Sequence, residues 1–137
     1  MKYFKLILPI IAIVISITSC NKDEVVKTVS YKTLVYEIEN NVDSLYVTYR
    51  KAVYNDQIKG NIDFDTVFNT KVTHFLTMQV LIGKPIVLFG LSNKGGNFHL
   101  KIKDKDGLVL AETDTIAFYP ANELHPDQYS SRLEYLP

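Results

Sequence analysis

Tryptophan is absent from this 137-residue chain, and cysteine occurs once, as Cys20. A single thiol excludes an internal disulfide. Stability must therefore come from a packed core. An excess of either charge is also absent, because Lys+Arg 15 balance Asp+Glu 15. An electrostatic nucleic-acid binder needs a basic excess or patch, so no nucleic-acid partner is expected. No apolar run reaches the length of about 20 residues that a membrane-spanning helix requires. The Gly-x-Ser-x-Gly turn of an activated serine is missing too. His74, His99 and His125 are spread along the chain, without the close His/Cys pairing of zinc sites. No cofactor or metal is expected.

What the chain does have is apolar material. Hydrophobic residues make up 47%, enough for the core of one domain. Much of it is tyrosine, phenylalanine, valine and isoleucine, which suit the pleated surface of strands.

The amino end has its own pattern. Met1-Lys2-Tyr3-Phe4-Lys5 is a short basic start, and Leu6 to Ile17 is apolar with one proline, Pro9. That run fits the apolar region of a secretory signal peptide. Ile17-Thr18-Ser19-Cys20 follows: an apolar residue, two small ones, then the lone thiol. This resembles the lipobox of bacterial lipoproteins. The resemblance implies diacylglycerol on the Cys20 sulfur, cleavage just before it, and further acylation of the new amine. One acyl chain binds a bilayer only marginally, whereas two or three anchor a protein without a spanning helix. Lys22-Asp23-Glu24 resembles the surface-export signal of Bacteroidota lipoproteins, which implies the outer leaflet of the outer membrane. The simpler reading of those charges is a solvated tether.

Beyond the tether the pattern is nearly all period two. Leu34, Tyr36 and Ile38 fall on one strand face, with Glu37 and Glu39 on the other. Leu45, Val47 and Tyr49 are expected inward on a second strand. Tyr54-Asn55-Asp56-Gln57 is a turn candidate. Ile62, Phe64 and Phe68 alternate with charged residues, and Val72, His74, Leu76, Met78 and Val80 alternate with polar ones. Ile86 to Leu91 is continuously apolar, as in a central strand covered on both faces. Phe98, Leu100 and Ile102 lead into Asp104-Lys105-Asp106-Gly107, the clearest hairpin signal in the chain. Ile116 to Tyr119 predicts a further strand, and Arg132 to Leu136 a short closing edge strand.

These segments predict an all-β fold, an immunoglobulin-like antiparallel β-sandwich of about seven to nine strands. The division is a signal-peptide helix over 1–19, a lipidated tether over 20–30 and the sandwich over 31–137. Leu34-Val35-Tyr36-Glu37-Ile38, Tyr46-Val47-Thr48-Tyr49, Gly90-Leu91-Ser92-Asn93-Lys94-Gly95 and Leu100 to Gly107 occur in that order. Across residues 34–113 they resemble the soluble domain of MmpS-type small membrane proteins. That family has an immunoglobulin-like sandwich, and several members assist a transporter. The long Thr70–Leu81 segment and the aromatic tail depart from it.

Chemistry is harder to find. Aligning Gly107 with the glycine of a calcium loop puts Ile102 at the first ligand position and Thr113 at the last, where oxygen ligands are needed. Asp63 and Asp65 share a strand face and are expected to be solvated. The carboxy-terminal aromatics, Tyr119, Tyr129 and Tyr135 with Arg132, are the candidate partner-binding residues, because tyrosine offers a flat apolar face and a hydroxyl. The alternative is that these rings cover one end of the sandwich. The expectation is a non-enzymatic lipoprotein, lipid-anchored in the cell envelope, whose sandwich binds a protein or glycan partner. An accessory subunit of an envelope transport complex is the alternative, and a small hydrolase a weaker one.

Overall fold

The computed structural model describes residues 29–54, 59–113 and 115–137. The expected signal-peptide helix, Cys20, and Lys22, Asp23 and Glu24 lie outside the described residues. So do residues 55–57 of the Tyr54–Gln57 turn.

Nine strands and no helix are found among the described residues: β1 (Tyr31–Asn40), β2 (Leu45–Tyr54), β3 (Lys59–Phe68), β4 (Thr73–Leu81), β5 (Ile86–Ser92), β6 (Phe98–Asp104), β7 (Val109–Thr113), β8 (Ala117–Tyr119) and β9 (Gln128–Tyr135). They form a four-stranded sheet, β4-β1-β6-β7, and a five-stranded sheet, β3-β2-β5-β9-β8. Every pairing is antiparallel. β1 pairs with β4 in one sheet and β2 with β5 in the other. The fold is therefore the expected all-β sandwich.

Alternation decides the layers. Leu34, Tyr36, Ile38, Leu100 and Ile102 from one sheet meet Leu45, Val47, Ile86 and Leu88 from the other, all fully buried. Each contributes about 1.5–3 kcal/mol through burial. Gly90 keeps this layer thin: a Cβ there would lie 2.8 Å from the ring of Phe98. Tyr36 is fully buried and still finds a partner, because its hydroxyl donates to the Arg50 carbonyl at 2.5 Å. That bond joins β1 of one sheet to β2 of the other.

The hairpin read at Asp104–Gly107 is present. Gly107 has φ +88, and the Asp104 carboxylate accepts from the backbone of Asp106 and Leu108. The closing strand begins earlier than read, at Gln128, and β8 pairs only with its first three residues, so Arg132 to Tyr135 form an edge beside β5 as expected. One expectation needs correction. β5 is central in its sheet, but only one of its faces packs against the second sheet.

The strands run between two poles. At one, the Ser30 carbonyl accepts from Ile82, and the Pro137 carbonyl accepts from Gly83. At the other lie the β1–β2, β3–β4 and β5–β6 connections. Asn40 binds the last group together. Its Nδ2 donates to the Thr70 carbonyl at 2.8 Å, and its Oδ1 accepts from the Val42 backbone at 3.0 Å. Val42, 2% exposed, plugs the core beneath Gly96, whose φ of +144 and lack of a Cβ allow the approach.

Removing the Asn40 amide leaves the Val42 N–H buried without a partner. Asn40→Ala is expected to lower stability by about 1–3 kcal/mol. The check is urea denaturation, read as a lower midpoint with an unchanged slope.

Candidate partner-binding face

The two sheets present different outward surfaces. On the four-stranded sheet, Glu37 and Glu39 of β1 face Lys101 and His99 of β6 by register. Lys101 bridges Glu37 at 3.3 Å and Glu39 at 2.5 Å, and Lys103 pairs with the second oxygen of Glu37. His99 lies between Glu39 at 3.7 Å and Glu112 at 3.9 Å. Two lysine stems cover Glu37 so well that its side chain is only 9% exposed. The Lys103 hydrogen bond holds the Glu37 carboxyl below its ordinary range, against the opposing effect of burial and with help from Lys101. On the edge strands of the same surface Phe75 is 61% exposed and Val109 41%.

The outward side of the five-stranded sheet carries apolar and aromatic groups on its central strands. Register places Val67, Tyr46, Leu91 and Ser130 in one row across β3, β2, β5 and β9. Asp65, Thr48, Phe89 and Arg132 form the next row. Val67 is 50% exposed and Tyr46 36%, while Phe89 and Leu91 are half-buried. The Tyr46 and Thr48 hydroxyls both hydrogen-bond Asp65, the latter at 2.7 Å. Those bonds lower the Asp65 pKa, Tyr46 being the larger cause, and the same carboxylate raises that of Tyr46. Arg50 forks onto Asp63, with Nε 2.5 Å from Oδ1 and Nη2 3.4 Å from Oδ2. Arg132 is paired with Glu134 at 2.5 Å.

Two shallow grooves mark this face. One, of about 270 Å³, is lined by Ser44, Tyr46, Val67, Leu91, Asn93 and Lys94. The other, of about 250 Å³, is lined by Thr48, Arg50, Asp63, Val87, Phe89 and Arg132. The arrangement offers flat apolar contact bordered by fixed hydrogen-bonding groups. Asp63 and Asp65 are exposed, as expected, and each is also hydrogen-bonded by a neighbour on this face.

The four residues singled out from the sequence do not converge. Arg132 stands on the outward face. Tyr119 is on the outward side of β8 and 52% exposed. Tyr129 and Tyr135 lie on the inward side of β9 and pack against the core. The Tyr135 hydroxyl accepts from Lys32 Nζ at 3.1 Å, and the Phe118 ring lies 5.0 Å from that of Tyr129. For these two the covering role holds. Sequence reasoning missed Tyr46, Val67, Phe89 and Leu91. The signal for Phe89 and Leu91 was the unbroken apolar run of β5, whose alternate residues must emerge on the second face of a two-layer fold.

The histidines also separate. The His74 ring stacks on Phe68 at 3.9 Å, and His125 is hydrogen-bonded within its own loop to Asn122. No group of three or more His, Cys, Asp or Glu able to hold a metal occurs among the described residues. No family model matches this chain, and no curated protein or solved structure matches it either.

The Glu37 cluster has a pH signature. Its carboxyl is lowered in the folded state, so its contribution is present above the unfolded carboxylate pKa and lost as pH falls through the folded one. Glu37→Gln is expected to cost about 1–3 kcal/mol near pH 7. The deficit should shrink steadily below about pH 4. Urea midpoints measured from pH 7 down to pH 3 check this.

Proposed function

We propose that this chain is a non-enzymatic cell-envelope lipoprotein whose five-stranded sheet binds a protein or glycan partner through its outward face. One observation carries the binding role. The two outward sheet surfaces are built by the same alternation, yet the central strands of one, β1 and β6, carry a lattice of lysine and glutamate, with Phe75 and Val109 exposed on its edge strands, whereas the central strands of the other, β2 and β5, present Tyr46, Phe89 and Leu91 between Val67 and two paired arginines. A merely solvated sheet face is polar. Tyrosine, phenylalanine and arginine together are the enriched composition of protein interfaces. The Tyr46-Thr48-Asp65 hydrogen-bonding group beside an open ring favours the glycan form of the same reading.

Lipid attachment rests on the sequence around Cys20, and surface display on Lys22-Asp23-Glu24. The anchor supplies the membrane association, so the sandwich needs no membrane contact of its own. An accessory role in a transport complex is one form of protein binding, supported by the MmpS-type resemblance over residues 34–113.

Cys20→Ser is expected to move the protein from the membrane to the soluble fraction, followed by fractionation and immunoblotting. Retention of the variant in the membrane with its leader uncleaved would overturn the anchor. For the face, Tyr46→Ala and Val67→Asp alter exposed side chains without touching the core. Each is expected to weaken retention of the partner at least tenfold in affinity capture from envelope extract and in glycan-array binding. Wild-type retention by both variants would remove the face from the binding role.

A further inference from the structure

A sandwich has four edge strands, and here they are unequal. β8 has three residues, and β7 has five with a register shift opposite Ile102/Lys103. β3 carries Asp63 and Asp65. β4 differs: Thr-His-Phe-Leu-Thr-Met-Gln-Val-Leu is nine residues long, with no Lys, Arg, Asp or Glu, no proline and no glycine. Its ladder with β1 runs unbroken from Thr73 to Leu81. Charge, proline, bulges and shortness are the usual devices that keep an edge from pairing with another chain. β4 has none of them.

The direction of its free groups is fixed by three hydrogen bonds. Val72 accepts from Asn40, and Ile82 donates to Ser30, so even-numbered positions turn their backbone groups toward β1. Leu81 instead donates to the side-chain oxygen of Asn61, away from β1. Thr73, Phe75, Thr77 and Gln79 therefore present their N–H and C=O outward along the edge.

We infer that β4 is a self-pairing edge: two copies of this chain join antiparallel, β4 to β4, about a two-fold axis at Thr77. A two-fold requires that residue i meet residue j and j meet i. About Thr77, Thr77 meets its own copy, Phe75 meets Gln79 of the other copy, and Thr73 meets Leu81. All four free positions then take partners, and Leu81 contributes its carbonyl while its N–H stays on Asn61. The same register sets Val72, 54% exposed, opposite Ile82, 51% exposed, at both ends of the pair. Opposed threonines are a favourable cross-strand pair, and no like charges meet. Centring the axis on Phe75 would draw Lys71 into the ladder opposite Gln79. Only the Thr77 axis sets Val72 opposite Ile82; centring it on Leu76, Met78 or Gln79 would set Val72 opposite Val80, Lys84 or Ile86 instead. The mutual burial of these two exposed apolar residues at both ends selects the register, and a second copy as the occupant. The two four-stranded sheets become one continuous eight-stranded sheet. This pairing uses a different sheet from the proposed partner-binding face and does not depend on the anchor.

The test uses the full chain with Cys20→Ser, so that any added cysteine is the only thiol. Directly opposed, hydrogen-bonded residues have Cα atoms about 5.5 Å apart, within disulfide reach. Thr77→Cys is expected to give a disulfide-linked dimer as the main product of mild oxidation with copper phenanthroline. Thr73→Cys should give at most about a tenth as much, because its two copies would lie roughly 27 Å apart along the paired strands. Thr77→Pro removes only an outward N–H, a position where an edge strand tolerates proline. By light scattering, the Cys20→Ser parent should be dimeric and both Thr77→Pro and Thr77→Lys monomeric, with an unchanged β-sheet circular dichroism spectrum. Absence of the Thr77→Cys dimer, equal yields at positions 73 and 77, or a monomeric parent would each overturn the pairing.

Discussion

The bond from the Tyr36 hydroxyl to the Arg50 carbonyl ties the molecule together across its core. Tyr36 belongs to the four-stranded sheet and Arg50 to the five-stranded one. Desolvation raises the pKa of the buried phenol, so it stays protonated and donating across the ordinary pH range. Its ring lies 6.2 Å from that of Tyr49, which stacks on Phe64 at 6.1 Å. The same contact holds the Arg50 backbone, and the Arg50 guanidinium emerges on the other side to grip Asp63 and the Pro85 carbonyl. A core hydrogen bond thus sets the position of a charged group on the candidate face.

The contrast between the outward surfaces has a simple physical basis. An antiparallel sheet packed on one side leaves every second residue to face water or a partner. On β1 and β6, the central strands of the four-stranded sheet, the charged ones among those residues are satisfied internally: Glu37, Glu39, Lys101 and Lys103 neutralise one another. In the five-stranded sheet the charged residues are also paired, but the pairs stand at the margins of β5. Between them Phe89 and Leu91 remain open in part. Paired charges at a rim around apolar groups give orientation without the desolvation cost of an unpaired ion.

Much of the fold was legible in the sequence, because period two is a direct consequence of the pleat. Leu34, Tyr36 and Ile38 are inward as read, and the turn at Asp104–Gly107 falls where its aspartates and glycine put it. The errors share one cause: strand order is not written in local pattern. Glu37 reads as a solvated residue until β6 is known to lie beside β1 with Lys101 and Lys103 across from it. The continuous apolar run of β5 was read as burial on two sides, whereas half of it forms the candidate face. Tyr129 and Tyr135 fail as surface candidates for the same reason, since which parity of β9 faces inward depends on its register with β5.

The arrangement of the poles has a further consequence. Tyr31 opens the first strand at one end, and β1 climbs about 33 Å to Asn40 at the other. The groove lined by Tyr46, Val67 and Lys94 lies toward that upper end, beside Asp43, which is paired with Lys71 at 2.8 Å. Under the proposed attachment through the amino terminus, the sandwich sets this groove at the pole away from the point of attachment, one strand length from where β1 begins.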